Sequence, residues 1–383
     1  MKSNYKRLGD YIRQVDVRNR DLEVTELVGL TIDKACIPSV ANTIGTDLSN
    51  YKVISHNQFA CSLMQVSRDE KMPIAIYKGD KAIMSPAYPM FEVCRTDELL
   101  PEFLMMWFSR KEFDREVTFW AVGGVRGSLT WEDFINLRIP VPPIEEQRKI
   151  VAEYQAVERR IENNRRLIVT LEATAQTIYR KMFVDNIDPN NLPEGWRYEK
   201  LGSLIMSFSK THLFPNKTII FLNTSDIYNG DILCREYQAV DSLPGQAKKQ
   251  IQKGDILYSE IRPKNLRFAL VREDGDDFVV STKLMVLRCK DTTISNLRIY
   301  NFLTQPDFID EINKQAEGRS GTFPQITFEG DIESRQILLG TPEIEHFFEE
   351  QIQRIYSYYW NLKDETMDLS RLSEILLSKL SNL

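Results

Sequence analysis

The sequence predicts an α+β protein: two similar mixed α/β domains separated by an antiparallel coiled coil of two long helices, with a pseudo-two-fold internal repeat. Three observations lead to this fold class. The same landmarks occur twice in the same order, each half ends in a long stretch without glycine or proline, and both stretches carry the same heptad pattern. Self-similarity over such a period indicates a duplicated structural unit.

Four pairs of segments carry the repeat. Gly9 and Gly202, each after a leucine, lie 193 positions apart, and Ile144 and Ile344 lie 200 apart. The drift between these offsets indicates loops of different length, because insertions are tolerated in loops. The four pairs are Tyr5–Asp10 with Trp196–Ser203, Asn57–Cys61 with Gly254–Tyr258, Gly127-Ser128 with Gly321-Thr322, and Pro143–Glu145 with Pro342–Glu345.

Within each half, β-branched and aromatic runs predict short strands, and apolar residues at helical spacing predict helices. The predicted strands are Ile74–Tyr77, Phe91–Cys94, Ile219–Leu222, Asp255–Tyr258, Phe278–Ser281 and Leu284–Leu287. The predicted helices inside the domains are Leu100–Phe113 and Arg298–Ile312. We therefore expect the first domain at residues 1–144 and the second at 184–342, with the long helices at 145–183 and 343–383.

The two long helices share one heptad seam. Steps of four and three residues meet mostly apolar side chains, with Asn164 as the polar position of the first helix, and Tyr154 and Ile352 begin a run of equivalent positions 198 apart. A single amphipathic helix on a domain surface is the alternative, and its apolar stripe would be wider. The seam positions are Ile150, Tyr154, Val157, Ile161, Asn164, Ile168, Leu171, Ala175, Ile178 and Met182, then Ile352, Ile355, Tyr359, Leu362, Thr366, Leu369, Ser373, Leu376 and Leu380.

The start signals of both helices agree with this pattern. Pro142-Pro143 precede Glu145-Glu146, and Thr341–Glu343 repeats the arrangement. Both segments predict a helix start, because proline suits the first turn and carboxylates complement the helix dipole. A helix over Glu145–Phe183 would be about 58 Å long. Since each helix follows its own domain and the chain must return, we expect an antiparallel pair with one domain at each end.

Composition restricts the function classes. The net charge of −6, from 49 basic and 55 acidic residues, excludes a polybasic coat but permits nucleic-acid binding through a local basic surface. Five cysteines and three histidines show no metal-ligand spacing, which predicts buried thiols, a reducing compartment and no metal site. The charged N-terminal segment and the lack of a long apolar run predict no signal peptide and no membrane span, so we expect a cytoplasmic protein.

Two similar domains held a fixed distance apart suit a linear target with two parts. Duplex DNA turns once per about 34 Å, so helices of this length can place two domains on groove faces about one turn apart. Because the two halves have diverged in sequence, we expect them to recognise two different half-sites.

Three segments resemble the specificity subunit of type I restriction–modification systems. They are Leu192–Gly202 (LPEGWRYEKLG), Leu8–Asp10 (LGD) and Ile139–Val151 (IPVPPIEEQRKIV). The resemblance covers the whole chain and implies a target-recognition domain and a spacer helix, each present twice. The second helix start, TPEIEHFFEEQ, departs from the pattern because it lacks the Glu-Gln pair in register, so we expect partners to bind it differently.

This resemblance implies a non-catalytic subunit that supplies sequence recognition on double-stranded DNA. Its implied partners are two adenine-N6 methyltransferase subunits and, in the full complex, two ATP-dependent DNA-translocating restriction subunits. S-adenosylmethionine, ATP and Mg²⁺ would belong to those partners, and this chain would hold no cofactor. The residues agree independently, because the sequence has no Walker loop, HExxH, GxSxG, Cys–His arrangement or Asn/Asp-Pro-Pro-Tyr segment.

Neither half is basic as a whole, so contacts to DNA phosphates are expected from local clusters. Arg262–Arg267 is the densest cluster, and Ser67–Lys71 is its counterpart in the first half. The glycine turns at Arg126–Ser128 and Arg319–Gly321 recur at equivalent positions and could hold a phosphate. For each side chain a solvated surface charge is the alternative. The candidates are Arg68, Lys71, Arg126, Ser128, Arg262, Lys264, Asn265, Arg267, Arg319 and Ser320.

Two further groups have competing interpretations. Tyr11, Arg13, Arg18 and Arg20 have a helical spacing, which favours a solvated helix face over a groove contact. Tyr358–Trp360 is assigned to the coiled-coil seam and its flanks, with an interface to a methyltransferase subunit as the alternative. For the whole chain, the rival function is a protein–protein scaffold with two peptide-binding end domains on a coiled coil.

Overall fold

The computed structural model describes residues 5–39, 45–64, 66–122, 128–185, 187–290 and 294–383. The chain divides into two compact units: unit 1 comprises Met1–Arg165 and Lys363–Leu383, and unit 2 comprises Arg166–Leu362. Each unit therefore holds one mixed α/β domain together with part of each long helix.

The first half contains ten strands and five helices among its described residues. The strands are β1 (Tyr5–Arg7), β2 (Ile12–Val15), β3 (Val28–Leu30), β4 (Cys36–Pro38), β5 (Lys52–Ser55), β6 (Phe59–Cys61), β7 (Ile74–Ile76), β8 (Lys81–Met84), β9 (Met90–Val93) and β10 (Arg138–Pro140). The helices are α1 (Val66–Asp69), α2 (Pro101–Phe108), α3 (Lys111–Val122), α4 (Trp131–Asn136) and the long α5 (Ile144–Phe183).

The second half follows the same general order. Its strands are β11 (Arg197–Lys200), β12 (Ile205–Ser207), β13 (Thr218–Leu222), β14 (Ile227–Tyr228), β15 (Asp231–Ile232), β16 (Tyr237–Ala239), β17 (Ala247–Gln250), β18 (Ile256–Ser259), β19 (Phe268–Leu270), β20 (Phe278–Ser281), β21 (Leu284–Cys289) and β22 (Gln336–Leu339). Its helices are α6 (Leu201–Leu204), α7 (Asn296–Leu303), α8 (Pro306–Arg319) and the long α9 (Pro342–Lys379).

The internal repeat extends to the pairing register of the central sheets. The first sheet has the order β2-β9-β6-β7 and the second has the order β12-β21-β18-β19. Phe59 pairs with Ile76 and Phe91, and Ile256 pairs with Leu270 and Leu287. Because a slip of one residue would turn every side chain to the other face, this agreement shows that the two domains share one core design.

A buried lysine marks the same place in both domains. Lys52 Nζ donates to Tyr88 O at 2.9 Å, and Lys249 Nζ donates to Leu284 O at 2.8 Å. Desolvation lowers the pKa of both ammonium groups below the usual lysine value. In each half this hydrogen bond therefore joins a separate sheet to the central sheet. The lysine lies on β5 of the sheet β5-β8 or on β17 of the sheet β16-β13-β20-β17, and its acceptor lies just before β9 or at the first residue of β21.

The glycine of the repeated Leu-Gly pair is required by close packing. Leu8 N–H donates to Leu137 O and Leu201 N–H donates to Arg335 O, which holds this turn against the end of its domain. A Cβ atom at Gly202 would collide with Glu333. Glycine fits because its backbone can approach a neighbour that any side chain would displace.

Two sequence predictions about helices inside the domains are wrong. Leu100–Phe113 is two helices, α2 and α3, because the chain turns at Ser109-Arg110, where the Arg110 guanidinium stacks on Trp107 and donates to Ser381. Arg298–Ile312 is likewise divided into α7 and α8, because Pro306 has no N–H to continue the helix and starts a new one.

The helical interpretation of the first arginines is also wrong. Ile12–Val15 is strand β2, and Arg13 Nε donates to Glu92 on the neighbouring strand β9 at 2.6 Å. Arg18 forms an ion pair with Asp16. The apparent helical spacing failed because these arginines lie on and after an edge strand, where pairing with β9 decides the backbone conformation.

In unit 1, α5 and α9 run antiparallel. Glu158 accepts a hydrogen bond from Ser373 at 2.7 Å, whereas Glu365 binds Arg160 and, at 2.9 Å, the buried amide of Asn164. Residue numbers thus rise along one helix as they fall along the other. The polar seam position Asn164 has a specific partner across the pair, and such polar contacts select one register of a coiled coil.

The proposed seam residues are all buried or half-buried. Buried positions are Ile161, Asn164, Ala175, Ile352, Tyr359, Leu362, Ser373 and Leu380; half-buried positions are Ile150, Tyr154, Val157, Ile168, Leu171, Ile178, Met182, Ile355, Thr366, Leu369 and Leu376. Both helices also contribute to the domain cores, with Val151 in unit 1 and Tyr179, Phe183, Phe348 and Tyr356 in unit 2. The seam is therefore one part of a wider apolar surface.

A buried amide ties the first turn of α5 to its domain. Gln147 Oε1 accepts from Leu100 N–H at 2.9 Å, and its Nε2 donates to Glu98 O at 2.7 Å and Pro142 O at 2.8 Å. The side chain is fully buried. We call this contact the amide clasp; it uses the glutamine of the Pro-Pro-x-x-Glu-Gln segment to join α5 to the start of α2.

The second half uses an ion pair at the equivalent place. Glu345, 198 positions after Gln147, accepts from Gly340 N–H at 2.9 Å and from Arg298 Nε at 3.1 Å. Arg298 also donates to Leu338 O and lies 3.6 Å from the centre of the Phe183 ring. This ionic clasp joins the first turn of α9 to the first turn of α7, so the departure from the Glu-Gln pattern has a structural compensation within the chain.

Among the described residues, no helix is both long enough and apolar enough to cross a membrane.

Exchange of the ionic clasp for an amide clasp tests this equivalence. Arg298→Met should lower the free energy of unfolding of unit 2 by about 3 kcal/mol, because the mostly buried Glu345 loses its countercharge. Adding Glu345→Gln to that variant should recover much of the loss. The measurement is urea denaturation of the full chain. The matched variant of unit 1 is Gln147→Leu, which removes the amide clasp. Equal stability of the single and double variants would contradict the assignment.

Candidate nucleic-acid interface

The densest basic cluster forms the loop between two neighbouring strands of unit 2. Arg262–Arg267 joins β18 to β19, and Pro263–Asn265 forms a short 3₁₀ turn within it. Arg262 and Leu266 have φ angles of +48° and +53°. Left-handed backbone at two residues with side chains is costly, and such strain is found where the surrounding structure holds a loop for function.

The structure brings this loop together with the second predicted cluster of the same half. Arg262 N–H donates to Pro324 O at 3.0 Å, and Ile261 pairs with Gln325. Lys264 forms an ion pair of 2.8 Å with Glu317 near the end of α8, two residues before Arg319. The loop at 262–267 and the segment at 319–325 thus form one continuous surface, which we call the paired loops of unit 2.

The cations of these paired loops differ in how far they are neutralised. Lys264 and Arg319 have carboxylate partners, Glu317 and the buried Asp331, and the hydrogen bond from Lys264 lowers the pKa of Glu317. Arg262 donates to Thr322 O at 3.3 Å and Arg267 donates to Thr224 Oγ1 at 3.1 Å. Since these acceptors are uncharged, Arg262 and Arg267 supply most of the positive potential of the surface.

The remaining two candidates hold the backbone. Ser320 Oγ accepts from Phe323 N–H at 3.1 Å, so its hydroxyl stabilises the turn after α8. Asn265 is half-buried, and its N–H donates to Arg262 O at 2.9 Å. Its side chain lies in the middle of the loop between the two strained residues.

Unit 1 contains the same pair of loops. The segment between β6 and β7 corresponds to the loop between β18 and β19. It contains α1, which carries Arg68, and Lys71 follows the end of that helix. Leu129 N–H donates to Leu63 O at 3.1 Å, and Ile326 N–H donates to Glu260 O at 2.9 Å. Both donor and acceptor of the second bond lie 197 positions after those of the first. The same backbone hydrogen bond therefore joins the two candidate segments in both halves.

The first-half loops differ in chemistry. Arg68 makes two hydrogen bonds with its neighbour Asp69, at 2.7 and 3.0 Å, which lower the pKa of that carboxyl. Lys71 Nζ lies 3.6 Å from Asp33 Oδ1. Ser128 is half-buried directly before the Leu129 contact, and Arg126 lies outside the described residues. Among the described residues, the paired loops of unit 1 thus carry less uncompensated positive charge than those of unit 2.

Sequence reasoning missed Phe323. This side chain is 49% exposed within the paired loops of unit 2, between Thr322 and the buried Pro324. The signal was present, because an aromatic residue follows the glycine turn that the repeat had already marked. In the aromatic group Tyr358–Trp360, Tyr359 is buried in the core of unit 2 and Tyr358 is 49% exposed.

The described residues show little that resembles a metal or redox site. No group of three or more His, Cys, Asp or Glu side chains in the described ranges is arranged to hold a metal ion. The prediction of buried thiols holds for Cys61 and is wrong for Cys94, which is exposed one residue after the end of β9. Burial raises the pKa of Cys36 to about 11. The other thiols, at Cys234 and Cys289, are half-buried.

Comparison with known proteins gives a consistent picture. A family model of the type I restriction modification DNA specificity domain matches residues 65–173. The chain is 42% identical over 137 residues to the type I restriction enzyme HindI specificity subunit of Haemophilus influenzae, a match that covers 35% of this chain and 29% of that protein. It is 22% identical over 305 residues to the MjaIX specificity subunit of Methanocaldococcus jannaschii, covering 74% of this chain and 69% of that protein.

One solved structure supports the fold. The S subunit of a type I restriction–modification system from M. genitalium aligns with a TM-score of 0.64 at 12% identity, covering 98% of this chain and 95% of that chain. Residues 65–173 thus match the type I restriction modification DNA specificity domain, the chain is similar to type I specificity subunits, and it has the fold of an S subunit.

Proposed function

We propose that this chain is the DNA sequence-recognition subunit of a type I restriction–modification complex. Each mixed domain recognises one half of an asymmetric bipartite target, and the coiled coil sets the gap between the halves. The chain itself is non-catalytic in this proposal.

The paired loops are the observation that supports this proposal most strongly. In each half, a loop between two strands of the central sheet is joined by the same backbone hydrogen bond to a second segment, through Leu129 in unit 1 and Ile326 in unit 2. A rigid sheet that presents two variable loops is a common way to build a recognition surface. Basic side chains on such loops can contact phosphates, and neighbouring polar side chains can contact base edges.

Differences between the two pairs of loops support an asymmetric target. Unit 2 offers Arg262 and Arg267, whereas the arginine of the first-half loop, Arg68, is held by Asp69. Because bases are discriminated by the donors and acceptors that face them, different side chains on the same scaffold select different sequences.

The long helices support a fixed gap. α5 has 40 residues and α9 has 38. A continuous helix of 40 residues is about 60 Å long, and the two clasps fix the direction in which each helix leaves its domain. We infer that this rigid element, and not a flexible linker, sets the number of bases between the half-sites.

The proposal includes partners that this chain does not contain. Two adenine-N6 methyltransferase subunits would perform the chemistry with S-adenosylmethionine, and two restriction subunits would use ATP and Mg²⁺ in the full complex. Such a complex acts on double-stranded DNA in the cytoplasm. The modest net charge of −6 agrees with binding that needs these partners, because the basic surfaces are local.

Selection from random-sequence duplexes tests the proposal directly. The chain together with its methyltransferase partner should retain duplexes that share two short conserved blocks separated by a gap of constant length. Gel-shift selection followed by sequencing is the measurement. One continuous or palindromic motif would contradict the bipartite proposal. Absence of duplex binding even at low salt would favour the rival protein–protein scaffold.

Removal of one cation tests the paired loops of unit 2. Arg262→Ala in the complex should weaken DNA binding and lower the slope of log affinity against log salt by about one, because one phosphate contact is lost. Arg354→Ala, on the exposed side of α9, is the matched control and should leave both quantities unchanged. An unchanged slope for the Arg262 variant would show that this arginine does not contact a phosphate.

A helix insertion tests the role of the coiled coil. One heptad inserted after Asn164, together with one after its counterpart Leu362, should lengthen the gap and leave both conserved blocks unchanged, since the seam register is kept. Selection of random duplexes with the altered complex is the measurement. A changed block or an unchanged gap would contradict the proposed spacer.

A further inference from the structure

Phe323 lies at the centre of the paired loops of unit 2. Its ring is 49% exposed, although the next residue, Pro324, is buried. Arg262 contacts the residues on both sides of it, through Thr322 O at 3.3 Å and Pro324 O at 3.0 Å. An apolar ring is therefore presented to solvent from within a basic surface.

The turn that carries Phe323 is held by several hydrogen bonds. Its own N–H donates to Ser320 Oγ at 3.1 Å, and Ile326 N–H donates to Glu260 O at 2.9 Å. The bridge between Ile261 and Gln325 adds a short strand-like contact. A ring on such a braced turn loses little conformational freedom when it binds a ligand, which favours affinity.

The cost of building this surface also indicates a ligand. Arg262 and Leu266, which flank the 3₁₀ turn, are both in the left-handed region with φ near +50°. Left-handed backbone at residues with side chains reduces the stability of the free protein, and such strain clusters at ligand-binding sites. A compensating gain in the bound state accounts for this strain.

We infer that Phe323 inserts partly between two adjacent base pairs of the half-site recognised by unit 2. This inference rests on the proposed function, since it places the paired loops on duplex DNA. Apolar wedges of this kind unstack one base step and bend the duplex, and basic side chains beside the wedge hold the phosphates that flank the bent step. Arg262, which contacts the residues on both sides of Phe323, is placed to do so.

The inference separates two contributions to DNA binding. Stacking of an aromatic ring on bases releases no counterions, so its loss lowers affinity without changing the salt dependence. It also predicts a preference for a flexible step at one position of the half-site, because such a step costs less to unstack.

The test uses the chain in complex with its methyltransferase partner and duplexes that contain the motif found by random-sequence selection. Phe323→Ala should weaken DNA binding about 5- to 100-fold with an unchanged salt slope, and Phe323→Trp should retain most of the affinity. Tyr237→Ala removes another exposed aromatic side chain of unit 2, on strand β16, and should bind DNA like the wild type. 2-Aminopurine placed at successive positions of the half-site, other than the methylated base, should brighten at one step in a manner that depends on Phe323.

The possible outcomes are distinguishable. Wild-type affinity of the Phe323→Ala complex, or an equal loss in the Tyr237→Ala complex, would overturn the wedge while leaving the proposed function intact. Weakened assembly with the methyltransferase, at unchanged DNA affinity of the assembled complex, would assign Phe323 to a protein interface and also overturn the wedge. Absence of DNA binding by the wild-type complex would overturn the proposed function and the wedge together.

Discussion

The junction between each long helix and its domain depends on one buried polar side chain. In the first half Gln147 satisfies three backbone groups, and in the second half Glu345 and the buried Arg298 do the same work as an ion pair. A buried polar group without a partner costs about 1–3 kcal/mol, so these bonds strongly favour one orientation of the helix on its domain. A defined orientation is what a fixed distance between two recognition surfaces requires. The glutamine of the Pro-Pro-x-x-Glu-Gln segment thus has an intramolecular explanation.

The internal repeat keeps the framework and varies the loops. Three features recur in both halves with nearly constant offsets. They are the strand register, the buried lysines Lys52 and Lys249, and the backbone hydrogen bond donated by Leu129 or Ile326. These features lie where a substitution would leave a cavity or an unpaired polar group. The paired loops carry no such constraint, and they have diverged in length, charge and aromatic content. A duplicated framework with independently varied loops is well suited to recognising two unlike half-sites.

Periodicity and repetition predicted both long helices and six of the 22 strands found among the described residues. The strand at Phe278–Ser281 was predicted with the observed bounds, and the long helices were placed to within one residue at their starts. Helix breaks inside the domains were missed because Ser109-Arg110 turns through contacts that are remote in sequence, although Pro306 was a local signal. The two basic clusters of unit 2 were each predicted from the sequence. Their contact with each other could not be predicted, since residues about sixty positions apart meet only through the fold. The same reason concealed the clasps and the setting of Phe323.

The central claim is that each unit recognises its own half-site while the helices preserve the gap. The most direct test is methylated-base sequencing of DNA from cells that express the methyltransferase partner with either the wild-type chain or a chain carrying Asn265→Ala and Arg267→Ala. The account predicts a bipartite motif with methylated adenines for the wild type. For the variant it predicts that one block becomes degenerate, while the other block and the gap stay the same. A single continuous or palindromic motif, or loss of specificity in both blocks, would contradict it.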